Sequence, residues 1–215
     1  NAALAEISDI IVLATKPQIV NKVLAEVNGS FSDDKLLISI LAGITTTSLE
    51  AGLGGQARVV RAMPNTPALA GKGAAALCPG LNITEEDRRV AQHLFETVGI
   101  ALWVEEGQMD AVTGLSGSGP AFVYTFIEAL TAGGVQEGLR LDVAHSLAVQ
   151  TVMGAAHLVQ VTGEHPAVLR EKVCSPAGTT ISAIRVLEER SFRGTMMEAV
   201  GAATQRSRQL GEEKK

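Results

Sequence analysis

The sequence predicts an α/β domain over residues 1–106 followed by an all-helical domain over residues 107–215. Three observations carry that expectation. In the first half, short apolar runs alternate with stretches of helical period. After Glu106 the strand signals stop, and four long segments with a period of about 3.6 follow. The 215 residues are 46% hydrophobic and 3% aromatic, enough for a core of ordinary size divided between two small domains.

The elements follow in order. Asp9–Thr15, "DIIVLAT", reads as a strand ended by Lys16-Pro17, and Ile19, Val23 and Val27 mark the helix after it. Lys35–Ala42 is the second strand, leading through Gly43 to a short helix over Thr46–Leu53. Ala57–Pro64, Gly73–Gly80 and Ala101–Glu106 are the third, fourth and fifth strands, the last preceded by a helix over Glu85–Val98. Strands this apolar, separated by helices, belong to a parallel sheet covered on both faces. The later helices are Pro120–Gly138, Val143–Val161, Pro166–Val173 continued after a turn by Thr180–Glu189, and Phe192–Leu210. Ser118 is expected to cap the first of these and Asp142 the second, with Pro166 in the first turn of the third. These helices are rich in Ala and Gly, and Phe192 is the single aromatic residue after Phe126. Small side chains supply little apolar area, each Å² contributing about 25 cal/mol, so the domain is expected to bury a face against a second copy.

Composition narrows the function classes. A formal charge of -5, with no basic block and no interleaving of aromatics with arginines, argues against nucleic acid. It does not exclude small anions, which local amide donors hold. No apolar run approaches the roughly 20 residues of a membrane span, and no signal peptide is visible. Cys78 and Cys174 read as reduced thiols in a reducing compartment, which makes a cytoplasmic location the expectation. His93, His145, His157 and His165 are scattered without metal-ligand spacing, so no metal site is expected.

A dinucleotide-binding sheet opens with a strand, a Gly-rich turn and a helix whose N-terminus faces the pyrophosphate. No GxGxxG occurs, and "NAALAEISDIIVLAT" is a helix tail entering a strand. Either the α/β domain is a smaller type without that loop, or its N-terminal strands and phosphate loop are missing; the second is the expectation.

Several stretches suit ligand chemistry. "TKPQ" (Thr15–Gln18), "AGIT" (Ala42–Thr45) and "AMPNTPALAGKG" (Ala62–Gly73) each follow a strand, where ligands collect in an open α/β sheet; each also reads as an ordinary turn. "TGLSGSGPAF" (Thr113–Phe122) holds three glycines and two serines and reads as a loop, either ligand-contacting or a flexible connector capped by Ser118. In "CSPAGTT" (Cys174–Thr180), Pro176 and Gly178 shape a turn whose amides, with the free amides of the helix behind it, suit an anion. Ser175, Thr179 and Thr180 add hydroxyls, and a plain helix cap remains the alternative.

Four quoted segments, "VLATKPQ", "RAMPNTPALAGKGAAAL", "DAVTGLSGSGPAFVYTFIEALTAGGVQEGL" and "HPAVLREKVCSPAGTTISAIRVLEE", together resemble pyrroline-5-carboxylate reductase across essentially the whole chain. The resemblance implies a Rossmann-type domain, here without its N-terminal strands and phosphate loop, followed by a helical dimerisation domain that intertwines with a partner subunit. Rings of such dimers, up to a decamer, are part of the implication. So is hydride transfer from NADPH or NADH to the C=N carbon of a small anionic cyclic imine, giving L-proline. On the matched positions it implies that Gly178, Thr179 and Thr180 cradle the carboxylate, with Ser118 in the same substrate-binding set. Thr180 and Ser175 take the catalytic places, Thr180 nearest the imine nitrogen, and Lys16, Ala42, Asn65 and Pro67 lie on the cofactor side. Many members carry a second glycine where this chain has Ala177; the methyl is a mild change at negative φ and a serious one at positive φ. A chain without the phosphate loop is expected to bind cofactor poorly. A related imine or hydroxyacid reductase and a non-catalytic helical interaction module are the competing readings.

Overall fold

The computed structural model describes residues 1–212. The chain divides into two compact units, Asn1–Pro120 together with the chain from Ala199 onward, and Ala121–Glu198.

The first unit is built on a five-stranded sheet. Helix α1 (Ala2–Ile7) leads into β1 (Ile10–Leu13), whose alternation buries Ile11 and Leu13. In α2 (Val20–Val27), Val20, Leu24 and Val27 recur on one face and are all buried. β2 (Leu36–Ser39) is buried throughout, as suits a strand with neighbours on both edges and cover on both faces. α3 (Thr46–Gly52) starts at Thr45, whose side chain accepts from the Ser48 amide. β3 (Arg58–Met63) and β4 (Gly73–Pro79) precede α4 (Glu85–Glu96), which opens with a reciprocal Thr84–Asp87 capping box. β5 (Gly99–Trp103) completes the sheet in the order β1-β2-β3-β4-β5.

The expectation of a wholly parallel sheet is corrected at one pairing. β1, β2 and β3 are parallel, and so are β4 and β5, but β4 runs antiparallel to β3, with Val60 opposite Pro79 and Met63 opposite Ala76. The cause is the connection. Between Met63 and Gly73 the chain forms one short 3₁₀ turn, Thr66–Ala70, whereas a parallel crossover needs roughly a dozen residues or more. The chain has room only to turn back.

The Gly-rich stretch expected to be a loop is helical. α5 (Met109–Val112) passes into a π turn, Thr113–Gly117, and then into α6 (Gly119–Gln136). Ser118 does not cap the start of α6 with its side chain: it lies in the helical region as the cap residue ending the π turn, its amide donating to the Thr113 carbonyl 2.9 Å away. The stretch stays ordered because its glycines admit a close neighbour. A Cβ on Gly114 would stand 2.8 Å from the Val200 carbonyl oxygen, so the missing side chain allows helix contact rather than flexibility.

α7 (Leu141–Thr162), α8 (Pro166–Lys172), α9 (Thr179–Glu189) and α10 (Phe192–Glu212) follow. Asp142 is not the cap of α7; Arg140 holds that place, and Asp142 sits in the first turn paired with it at 3.1 Å. Pro166 does open α8, preceded by His165, whose Nδ1 accepts from the Ala167 amide at 3.2 Å. In the second unit only Thr131, Ala144 and Ala148 are buried among the described residues. Leu147, Met153, Leu158 and Val161 of α7, and Ile181 and Val186 of α9, are exposed.

β3 carries an arginine toward each face of the sheet. Arg58 donates to Asp87, the same carboxylate that closes the capping box of α4. Arg61, 3% exposed, pairs with Glu106, whose Oε2 also accepts from the amide and hydroxyl of Thr46 at 3.0 and 2.7 Å. Burial opposes the charge on Glu106, but the Thr46 donors and then Arg61 outweigh it and hold the carboxyl below its usual range. Cys78 lies against the same carboxylate, and burial, followed by the Glu106 charge, pushes its thiol up to about 12. In mildly alkaline solution a thiol reagent is therefore expected to spare Cys78 until the chain unfolds, while the half-buried Cys174 reacts. Two rapidly titrating thiols in the native protein would contradict this placement.

Candidate functional site

Two stretches of the first unit leave the carboxyl ends of parallel strands side by side. After β1 come Lys16 and the 3₁₀ turn Pro17–Ile19; after β2 comes Ala42–Thr45, with Gly43 at φ 73°. Between them lies a cleft of about 520 Å³, bordered by Pro17, Gln18, Gly43, Thr45 and Ser48 and by Gly211 of α10. A smaller cleft of about 280 Å³ adjoins the other side of Gly43, and there two expected site residues, Ala42 and Ser118, meet Thr113, Arg206 and Ser207. Lys16 is exposed beside the first cleft, and its carbonyl accepts from the Ile19 amide.

Pro67 stands in the first turn of the 3₁₀ segment after β3. Asn65, directly before that segment, has its side chain engaged within the protein. Its Oδ1 accepts from the Ala74 amide at 2.9 Å and its Nδ2 donates to the Ser116 carbonyl at 3.0 Å. Asn65 thus ties the turn after β3 to the π turn that carries Ser116 and leads to Ser118. A comparable bond, Ser207 Oγ to Asp110 at 2.6 Å, seats the end of α10 against α5.

Ser175, Gly178, Thr179 and Thr180 lie together in the second unit, around the entrance to α9. The Gly178 amide donates to the Ser175 carbonyl at 3.0 Å and closes the turn, so it is engaged internally. Gly178 is the cap residue of α9 and no side chain caps the helix. The first bond back to it comes from the Ser182 amide, at 3.4 Å, which leaves the amides of Thr179, Thr180 and Ile181 without an acceptor in the helix. Among the described residues the hydroxyls of Ser175, Thr179 and Thr180 have no protein partner either. Thr179 is exposed and Thr180 half-buried. The entrance presents adjacent free donors and the positive end of a three-turn helix, an arrangement with the chemistry to accept a small anion.

Sequence reasoning did not reach the Arg61–Glu106–Thr46 cluster. Its one signal was an arginine inside the apolar run "ARVVRAMP", which demands a buried counter-charge without naming it.

Ala177 adopts φ 56°, so the methyl at this position is the serious case and not the mild one. Replacing Ala177 by Gly is expected to raise stability by about 1 kcal/mol, read as a higher denaturant midpoint at unchanged slope. A lower midpoint would show that the left-handed turn is not the relaxed conformation.

Comparison with known proteins bears on both units. Residues 106–210 match the family model described as pyrroline-5-carboxylate reductase dimerisation, and residues 1–43 match that of NADP oxidoreductase, coenzyme F420-dependent. A pyrroline-5-carboxylate reductase of Arabidopsis thaliana is 48% identical over 95% of this chain and 74% of its own length. That of Methanosarcina acetivorans is 47% identical over 98% of this chain and 78% of its own. The crystal structure of Plasmodium falciparum pyrroline carboxylate reductase with NADP bound superposes with a TM-score of 0.91, at 37% identity, covering 98% of this chain and 80% of that one. With identity this high over most of the length of each relative, and with the strand edge and helix entrance described above, this chain belongs to the pyrroline-5-carboxylate reductase family.

Proposed function

We propose that this chain reduces 1-pyrroline-5-carboxylate to L-proline with NADPH or NADH, the closing step of proline biosynthesis. The observation that carries the reading is the uncapped entrance of α9, where free amides and unpartnered hydroxyls stand together in a sequence of this family. In this reading the amides of Thr179 and Thr180 bind the substrate carboxylate, and the Gly178–Ser175 bond sets the direction in which they point. The Thr180 hydroxyl donates to the imine nitrogen and assists its protonation as the C=N bond becomes C–N. Ser175 shapes the same pocket, and Ser118, which borders the smaller cleft of the first unit, is assigned to the substrate by the family resemblance.

The carboxyl-edge clefts suit a dinucleotide: they are open, lie where two parallel strands end, and at Gly43 have no side chain to block close approach of a ligand. Lys16, Ala42 and Pro67 are the residues assigned to hold it, with Asn65 fixing the turn after β3. When bound, the reduced nicotinamide supplies the hydride. The protein's part is to hold the imine at contact distance in one orientation.

The exposed apolar faces of α6, α7 and α9 support covering by a second copy, in keeping with the matched dimerisation model. A decamer built from dimers is the larger assembly in this proposal, and two unpaired thiols support a cytoplasmic setting. Among the described residues no helix is long and apolar enough to cross a membrane. Neither nucleic acid nor a metal has a part in it.

Thr180→Ala is expected to lower turnover of the cyclic imine by about 100-fold, with cofactor affinity changed little. Equal losses in both would remove Thr180 from its assigned role. Sedimentation is expected to give a dimer or a larger species at micromolar concentration, and a monomer under those conditions would leave the apolar helix faces unexplained.

A further inference from the structure

We propose that Glu106 is a positioning residue for the cofactor-edge clefts, acting through Thr46 to fix where the Ala42–Thr45 segment stands. The proposal rests on the reductase reading for the identity of the ligand, and on geometry for everything else. Ala42–Thr45 borders both clefts: Gly43 is common to the two, Thr45 belongs to the larger and Ala42 to the smaller. One end of this segment is held by β2. The other end is the start of α3, a helix of only seven residues, too short to define its own beginning without help at its terminus.

That help comes from two sources with separate tasks. The Thr45 hydroxyl accepts from the Ser48 amide at 3.2 Å, leaving the Thr46 amide without an acceptor in the helix. Glu106 takes it, and takes the Thr46 hydroxyl as well, on the single oxygen Oε2. The other oxygen, Oε1, is bound by Nη1 of Arg61, while Nε and Nη2 of that guanidinium are buried without a partner. Glu106 therefore stands between β3 and the start of α3, with Oε1 on Arg61 and Oε2 on Thr46, the latter oxygen also 3.6 Å from Cys78 Sγ. Buried arginine–carboxylate pairs often add little net stability compared with apolar residues of the same volume. A charge pair in this place is better explained by what it locates.

The test uses Glu106→Ala and Glu106→Gln in the intact chain, with amide hydrogen exchange as the first readout and NADPH titration as the second. Glu106→Ala is expected to speed exchange of the amides of residues 43–48 by about 10-fold or more over any change in β1, β2 and β3. It is also expected to weaken NADPH binding several-fold while leaving turnover at saturating cofactor close to that of the parent. Glu106→Gln, which retains an oxygen acceptor for Thr46, is expected to recover most of both effects. Loss of protection spread evenly through the sheet, or faster exchange at residues 43–48 with unchanged NADPH affinity, would overturn the positioning role. If Glu106→Ala does not fold, Thr46→Val removes one of the two bonds without touching the ion pair. Unchanged exchange at residues 43–48 in that variant overturns the proposal. If the parent chain binds NADPH too weakly to titrate, the exchange measurement decides alone, and unchanged protection at residues 43–48 in Glu106→Ala overturns the proposal.

Discussion

β3 is the strand around which the first unit is organised, because it carries two positive charges, Arg61 buried and Arg58 partly buried, out of a sheet that is covered on both faces. Arg58 and Arg61 are three residues apart on an extended chain and so leave on opposite faces. Each is neutralised by a carboxylate that also satisfies the start of a helix, Asp87 for α4 and Glu106 for α3. An unpaired guanidinium at the buried Arg61 position would carry a large desolvation cost, and a smaller one at the partly exposed Arg58, so the carboxylate beside Arg61 has the least freedom of place. Through them the helices on both faces are registered against a single strand. The side-chain chemistry that makes the sheet electrically acceptable is also what aligns its cover.

The two units differ in how they meet the demand for buried area. The first packs Leu37, Ile38, Val59, Val60 and Leu77 to near-complete exclusion of solvent between strands and helices. In the second, α6 and α7 approach closely at Gly134, where a Cβ would stand 3.1 Å from that of Ala144, yet three buried residues are its whole interior among those described. Phe126 and Phe192, with ring centroids 6.0 Å apart, supply most of its aromatic contact. Close approach of small residues orders the helices but shields little apolar surface. That deficit gives a family of dimerising chains its physical rationale.

The entrance of α9 shows how a turn can hold donors ready without a ligand. Gly178 gives its amide to the turn itself, and a side chain at that position would collide with Ser175 Oγ. Ala177 accepts a left-handed conformation that costs an alanine roughly 1 kcal/mol or more. Both features keep the amides after Gly178 pointing outward, away from internal acceptors. The cost of the left-handed Ala177 is borne by the fold around it.

Much was legible in the chain alone. The alternation of apolar runs with helical periods defined five strands and the long helices, the free thiols followed from composition, and the spacing of Pro176, Gly178, Thr179 and Thr180 marked the helix entrance. These are properties of local chemistry, in which a residue's role depends on neighbours a few positions away. Tertiary structure decided the rest. The antiparallel turn into β4 followed from the length of one connection, and the helical state of Thr113–Gly117 from the approach of α10 to Gly114. Asn65 was placed by its acceptor at Ser116 and its donor at Ala74, and Glu106 by its partners at Arg61 and Thr46. Gly114 with α10, Asn65 with Ser116, and Glu106 with Arg61 and Thr46 are contacts between segments distant along the chain, and only folding reveals which buried charge or open backbone position has found its complement.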